Sequence, residues 1–316
     1  MSTNAGGIHF IRHNSLHANC IGLKIVLASG EILDNITTLR KDNTGYDLKH
    51  LFIGAEGTLG VITECAILCP PMAKSKQLAV LSHDSFADVV EVVKKAKTEL
   101  GDILQACEFM DKASMDLTLD TLKLDDLFEK RHKFYSILEV ASNNDPEVVP
   151  EDSERLLEFL ETVDEHITDG IVPQGDKQVQ HIWDIRESVA PASFRHGFTL
   201  PYDISLPTDS FYEMVTATRN FIKESSEFTP EEKEIVKAIG YGHIGDGNLH
   251  LKVVLPGYEN KALQEKLTVN AEKFIMEFVR AHRGSVSAEH GIGQQKVDYL
   301  DFSKSAAMIE YMKKIK

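Results

Sequence analysis

The chain has 316 residues, 42% of them hydrophobic, with 34 Lys and Arg against 49 Asp and Glu and a formal net charge of −15. This composition excludes a disordered or low-complexity chain, and the length suggests about two domains with room for a sizeable core. The acidic balance argues against nucleic-acid binding, which needs a basic surface. The longest uninterrupted apolar run, Cys65 to Cys69, falls far short of the about 20 residues a membrane span needs.

Residues 1–71 form a first block. Within it, 22–33 reads as two short strands around a Ser29-Gly30 turn. Residues 59–68 are β-rich and closed by Pro70-Pro71, which neither a central strand nor a helix would continue through, so a domain boundary divides 1–71 from 72–316. Beyond it, 77–82 reads as a strand, and Phe86, Val89, Val90 and Val93 recur at i, i+3, i+4 and i+7, the stripe of an amphipathic helix. A strand at 103–109, a mostly helical stretch at 115–127 and a strand at 134–141 follow. A polar loop at 142–150 precedes a helix lined by Leu156, Leu157, Leu160 and Val163. Further helices are predicted near 177–190, 208–225, 262–283 and 304–315, and strands near 199–206, 237–244 and 248–255. Strand–helix alternation with charged outer faces gives an α+β or α/β class. The four cysteines form no CxxC pair and are too few for a disulfide scaffold, which implies a reducing compartment. Cys65 and Cys69, evenly spaced on a predicted strand, are expected to face the same way as buried thiols. The N-terminal residues show neither a signal-peptide core nor an Arg-rich presequence.

The segment 240–250, GYGHIGDGNLH, places a Gly-Asp-Gly-Asn turn signal between two β-rich runs. A four-residue loop at 245–248 would set Ile244 opposite Leu249 and His243 opposite His250, so that both imidazoles converge on one point as a shared metal ion requires. The bland alternative is two surface histidines on a hairpin. A second segment, 285–293, SVSAEHGIG, sets Glu289 beside His290 among small residues. Two His and one Glu make a three-ligand site with an open position. Adjacent residues on extended backbone point to opposite sides, so one of the pair could ligate while the other serves as base. On a predicted helix, Trp183 and Arg186 share a face, and Arg is the natural clamp for a carboxylate. Pairing of Arg186 with Glu187 or Asp184 is the plainer reading. Three glycine-bearing polar turns, at 2–7, 40–47 and 54–60, suggest backbone amides cradling phosphates or a ring. None is a Rossmann or Walker motif.

STNAGG, LRKDNTGYDLKHLFIGAEGTLGVIT, WDIRES, GYGHIGDGNLHL and SAEHGIG together resemble the FAD-dependent D-2-hydroxyacid dehydrogenases of the vanillyl-alcohol-oxidase type, above all the branch acting on D-2-hydroxyglutarate. The resemblance runs along essentially the whole chain. It implies an α+β fold: part of an FAD-binding subdomain over 1–71, then an inserted, mostly antiparallel substrate domain and a helical C-terminal part over 72–316. It implies FAD contacts at Thr3, Asn4, Gly6, Gly7, Glu56, Gly57, Gly60 and Ile62. A divalent metal, Zn first, is implied at His243, His250 and Glu289, with His290 as general base. Substrate contacts fall at Arg186, Ala190, Pro201 and Lys252.

The implied reaction is oxidation of a D-2-hydroxy acid, D-2-hydroxyglutarate to 2-oxoglutarate, by hydride transfer to the flavin, with electrons passed to an acceptor flavoprotein in the mitochondrion. Two departures stand out. The sequence begins inside the STNAGG element and stops before the relatives' terminal Asn-Pro segment, so as written it is expected to hold less than one FAD per chain and to leave an apolar face uncovered. Where the resembling enzymes carry Thr, Lys and Asn, this chain has Ala190, Pro201 and Lys252. A D-lactate-type dehydrogenase, a metal-binding piece unable to retain FAD, and a His2Glu metallohydrolase are the alternatives.

Overall fold

Residues 75–256 alternate along their strands between two apolar faces, and this period of two organises the molecule. In a computed structural model that describes residues 1–143 and 151–316, the strands are β1 (Cys20–Val26), β2 (Ile32–Asn35), β3 (Val61–Ile67), β4 (Ser75–His83), β5 (Leu104–Asp111), β6 (Phe134–Ser142), β7 (Asp169–Ile171), β8 (Gly197–Ser205), β9 (Lys237–His243) and β10 (Asn248–Pro256). The first three form a small sheet in the order β2-β1-β3. The others form a seven-stranded sheet in the order β7-β4-β6-β5-β9-β10-β8. Every ladder of the larger sheet is antiparallel. The class is α+β, as expected. The predicted loop at 142–150 falls mostly outside the described residues.

Both faces of the large sheet are covered. On one, Ala79, Leu81, Cys107, Phe109, Leu138, Val140, Leu249, Leu251 and Val253 join a core with the helices Phe86–Glu99, Thr208–Glu224 and Lys261–Ala281. On the other, Leu78, Val80, Met110, Tyr135, Ile137, Ile239, Tyr241 and Val254 meet the helices Lys112–Leu122, Asp176–Glu187 and Val189–His196. Most strand positions are therefore buried whichever way they point, which is why these strands read as apolar runs rather than as clean alternation. The small sheet has its own core of Cys20, Leu23, Ile25, Phe52 and Ile53.

Four expectations need correction. Cys65 and Cys69 are both exposed: β3 turns Ile62 toward the small core and leaves Cys65 facing outward, and Cys69 lies beyond the strand end. The helix read over 115–127 stops at Leu122, because Lys123 adopts the left-handed conformation that closes it. The helix read over 177–190 is two, meeting at Ser188. The fourth correction, the register of the β9–β10 hairpin, is taken up with the site below.

Asp111, at the end of β5, is 1% exposed and joins three elements. It caps the helix Lys112–Leu122 through the Ser114 amide (2.8 Å), accepts from the Gly240 amide of β9 (3.0 Å), and pairs with Arg219 Nη2 (2.6 Å) of the helix Thr208–Glu224. Replacing Asp111 by Ala removes a cap and leaves Arg219 without its carboxylate. We expect a loss of about 3 kcal/mol in urea denaturation, against well under 1 kcal/mol for the exposed Asp120→Ala.

Candidate active site

The β9–β10 hairpin closes through Ile244–Gly247, with Gly247 N donating to His243 O (3.1 Å) and the Asp246 carboxylate accepting from Asn248 N (3.1 Å). Gly247, at φ +81°, takes the left-handed turn position. This loop pairs His243 with Asn248 and His250 with Tyr241, so the two histidines do not face each other across the ladder as expected. The register differs from the expected one by two residues, and a shift of two keeps side chains on the same face. The imidazoles therefore meet diagonally, Nε2 to Nε2 at 3.3 Å.

Glu289 arrives from the other side. After the helix Lys261–Ala281 the chain runs beside β8, bridging Ser205 to Ser285. There the buried Asp203 carboxylate accepts the backbone amides of Glu289 and His290, each at 2.8 Å. Glu289 Oε1 comes to 3.7 Å from His243 Nε2, and one donor atom from each of His243, His250 and Glu289 lies within 4.8 Å of the others. His290 diverges from this cluster. Its side chain is 67% exposed, with Nδ1 3.7 Å from Asp203 Oδ2 and its ring parallel to that of His250.

These donors suit a divalent ion. Two nitrogen lone pairs and a carboxylate converge, and each imidazole has a carboxylate near its other nitrogen: Glu108 Oε1 at 2.7 Å from His243 Nδ1, and Asp203 Oδ1 at 3.7 Å from His250 Nδ1. Such partners fix the tautomer of a ligating histidine. Burial favours neutral His243, but the Glu108 hydrogen bond and charge outweigh it and hold that imidazole above its ordinary range. His250 is driven far down, first by burial and then by the Arg186 charge. Burial opposes the Asp203 anion too, yet the two amides keep its carboxyl below the usual range.

All these strand residues lie on the second face of the large sheet. Glu108 shares β5 with Met110, His243 shares β9 with Tyr241, and His250 and Lys252 share β10 with Val254. Asp203 and Pro201 stand on the same side of the edge strand β8. A cavity of about 700 Å³ opens over this patch, lined among others by Gly6, Gly7, Arg186, Ala190, Pro201, Lys252 and His290. Arg186 is 5% exposed and pairs with neither Glu187 nor Asp184; its Nη2 lies 2.5 Å from Glu108 Oε2. This contact is an ion pair without hydrogen-bond geometry, and the buried Nε and Nη2 make no hydrogen bond. Trp183, on the same helix face, donates to Glu139 Oε2 (3.2 Å). Lys252 stands over the rings of Phe194 and Tyr241, and burial lowers its pKa to about 8.

Two of the three glycine-bearing turns come together as well, while the 40–47 turn lines a separate cavity beside β2. Glu56 N donates to Ser2 O (2.9 Å), joining the 2–7 and 54–60 segments. Asn4 adopts φ +54° and its Oδ1 accepts from His17 N, while Thr3 is half-buried beside it. Gly7 and Gly57, at φ +93° and +76°, face open space where a Cβ would stand, so a flat ring or a phosphate can approach their backbones. Gly60 and Ile62 turn inward instead. A Cβ on Gly60 would stand 2.8 Å from the Ile25 side chain, and Ile62 packs on the small core.

The decisive comparison covers most of the chain: residues 72–316 match the C-terminal domain of FAD-linked oxidases. The chain belongs to that family. Its whole length aligns at 39% identity with 54% of a protein named probable D-2-hydroxyglutarate dehydrogenase, mitochondrial, from Oryza sativa subsp. indica. It aligns at 40% with 62% of the D-2-hydroxyglutarate–pyruvate transhydrogenase of Saccharomyces cerevisiae, and at 37% with 59% of a putative mitochondrial D-lactate dehydrogenase of Schizosaccharomyces pombe. The chain thus spans little more than half the length of such relatives. Among solved structures, alkyldihydroxyacetonephosphate synthase matches 99% of this chain with 55% of its own at a TM-score of 0.64 and 13% identity. p-Cresol methylhydroxylase matches 90% with 60% at 0.61 and 9%. These last two share the fold.

Three residues of this FAD-linked oxidase chain escaped the sequence reading: Glu108, Asp203 and Tyr241. Glu108 and Asp203 each interrupt an apolar strand with a carboxylate, and that interruption was the available signal. A fourth assignment shifts in meaning. Glu56, expected at the flavin, directs its carboxylate to the amides of Ile292 (2.8 Å) and Gly293 (2.7 Å), holding the loop that follows His290. Gly291 in that loop has φ +83°, and a Cβ there would stand 2.6 Å from the Glu56 carboxyl carbon. We expect Gly291→Ala to release the clamp, read as faster hydrogen exchange at Ile292 and Gly293, with about 1–3 kcal/mol lost in stability.

Proposed function

We propose that this chain binds and orients a D-2-hydroxy acid, D-2-hydroxyglutarate first, for FAD-linked oxidation to 2-oxoglutarate. The observation that carries the reading is that one cavity holds two separate handles. The His243–His250–Glu289 cluster, beside the Gly6-Gly7 turn, suits a hydroxyl and its neighbouring carboxylate. Arg186 and Lys252, both set around the Tyr241 ring, suit a second carboxylate. The names of the rice and Saccharomyces cerevisiae relatives support the same substrate, whereas that of the Schizosaccharomyces pombe relative names D-lactate. A D-lactate-type reading is disfavoured by Lys252, a buried ammonium with no carboxylate partner among the described residues, for which a monocarboxylate offers nothing.

In this reading residues 1–71 face the flavin through Thr3, Asn4, Gly6, Gly7 and Gly57, Glu56 holds the loop after His290, and residues 72–316 bind substrate. His243, His250 and Glu289 would hold a divalent ion; imidazole with carboxylate and no thiolate suits Zn, with Mn or Co also accommodated. When bound, the flavin supplies the hydride acceptor and the ion acidifies a hydroxyl. Arg186, anchored by Glu108, orients the substrate and Lys252 neutralises its far carboxylate. His290, outside the ligand cluster, receives the hydroxyl proton on its ring, and Asp203 stabilises the resulting charge. The printed names of the rice and Schizosaccharomyces pombe relatives support a mitochondrial setting, and an electron-accepting flavoprotein is what the family resemblance implies.

Zinc content measured by elemental analysis, together with turnover of D-2-hydroxyglutarate in flavin-replete protein, tests this assignment. His250→Ala should lose the metal, leaving two ligands. His290→Ala should keep it while turnover falls by about 10²-fold or more. Equal metal loss in both would sink the division between ligand and base. Lys252→Met should raise KM for D-2-hydroxyglutarate about 10–100-fold, the worth of a charge-assisted contact, and leave KM for D-lactate nearly unchanged. A parallel rise for both substrates would remove Lys252 from the distal site.

A further inference from the structure

Glu108 is fully buried, and its two oxygens serve two different parts of the cavity. It stands one place beyond the ladder pair Phe109↔Gly242, so His243 is its neighbour across β5 and β9. Oε1 lies 2.7 Å from His243 Nδ1, on the side of the ring away from the ligand cluster. Oε2 lies 2.5 Å from Arg186 Nη2, which the helix Asp176–Glu187 brings down onto the sheet. No other carboxylate among the described residues is within ion-pairing reach of Arg186.

We propose that Glu108 is a single positioning residue for both handles of the cavity: it fixes the tautomer and orientation of His243 for metal binding, and it aims Arg186 at the substrate carboxylate. The inference rests on the proposed reading of the site. Physically, a buried arginine with five donors and one short contact is held by that contact. A ligating imidazole whose other nitrogen meets a carboxylate keeps its proton there, so that Nε2 presents its lone pair. One carboxylate thus satisfies a helix-borne cation and a strand-borne imidazole that share no other partner.

Two substitutions separate the roles. Glu108→Gln keeps the volume and an oxygen that accepts from His243 Nδ1–H, but turns an NH2 group toward Arg186. Glu108→Ala removes both partners. The readouts are Zn²⁺ affinity by chelator competition, and binding of glutarate, a dicarboxylate lacking the 2-hydroxyl, followed by fluorescence. Trp183 is the only tryptophan and lies three residues before Arg186. Glu108→Gln should hold zinc within about threefold of wild type while glutarate affinity falls about tenfold or more, and Glu108→Ala should lose about 10–100-fold in each. Unchanged glutarate binding in Glu108→Gln overturns the proposal, as does unchanged zinc affinity in Glu108→Ala. If Glu108→Ala does not fold, the split in Glu108→Gln decides alone. A wild-type chain that takes up no zinc overturns the metal reading and this proposal with it. Tight wild-type zinc binding that neither variant alters overturns this proposal alone.

Discussion

The site depends on one constraint: charged side chains stand on a sheet face that is otherwise core. Glu108, Asp203, Arg186 and Lys252 are each 5% exposed or less. An ion moved into such surroundings costs several kcal/mol unless it is paired and hydrogen-bonded. The two carboxylates meet that condition differently. Glu108 is compensated by a guanidinium and an imidazole, Asp203 by two backbone amides and the Asn248 side chain. Each solution immobilises a histidine of the cluster or the loop bearing its third member. Charge burial that would otherwise be a liability therefore sets the geometry of the cavity.

The same reasoning explains why the first block is inseparable from the site. The Gly7 amide donates to Glu289 Oε1 at 2.6 Å, and Glu56 holds Ile292 and Gly293. Across the cavity, His9 and Gln105 converge on Glu139, whose other oxygen receives the Trp183 indole. The loop carrying Glu289 and His290 is thus gripped on one side by Asp203 of the large sheet and on the other by the 54–60 turn. The first block and the large-sheet block are thus tied together by shared hydrogen bonds at this loop.

Much of this was legible in the sequence because periodicity reports directly on packing. The strands, the long helices and the approach of His243 to His250 followed from spacing and turn chemistry, whereas the choice of Glu289 over His290 as the third member of the cluster came from the family resemblance. The hairpin register did not, since a four-residue loop can be placed at 244–247 or 245–248 on the same Gly and Asp signals. The error was harmless because two residues is one full strand period. Cys65 and Cys69 were misjudged because the small sheet covers only one face of β3. Glu108 and Asp203 were missed because a carboxylate in a strand is indistinguishable, along the sequence alone, from one turned to solvent. Their partners Arg186, Glu289 and His290 lie 78 to 87 positions away. Such pairings are tertiary facts.

Lys252 and Pro201 show how the ladder constrains variation in specificity. The two are direct partners across β10 and β8, and directly opposed residues share a face with Cβ atoms about 4.5–5.5 Å apart. Where the family resemblance implies Lys at 201 and Asn at 252, this chain carries Pro201 and Lys252. A cation moved between opposed positions stays over the same cavity, displaced by about one strand spacing, within the reach of a four-carbon side chain. Proline at 201 is tolerated because β8 is the last strand of the sheet, where the absent N–H need not serve a second neighbour. Ala190, on the helix Val189–His196, lines the same cavity with a small side chain. The ladder thus decides where a positive charge can stand over the cavity, and Lys252 sets it on β10 beside the Tyr241 ring.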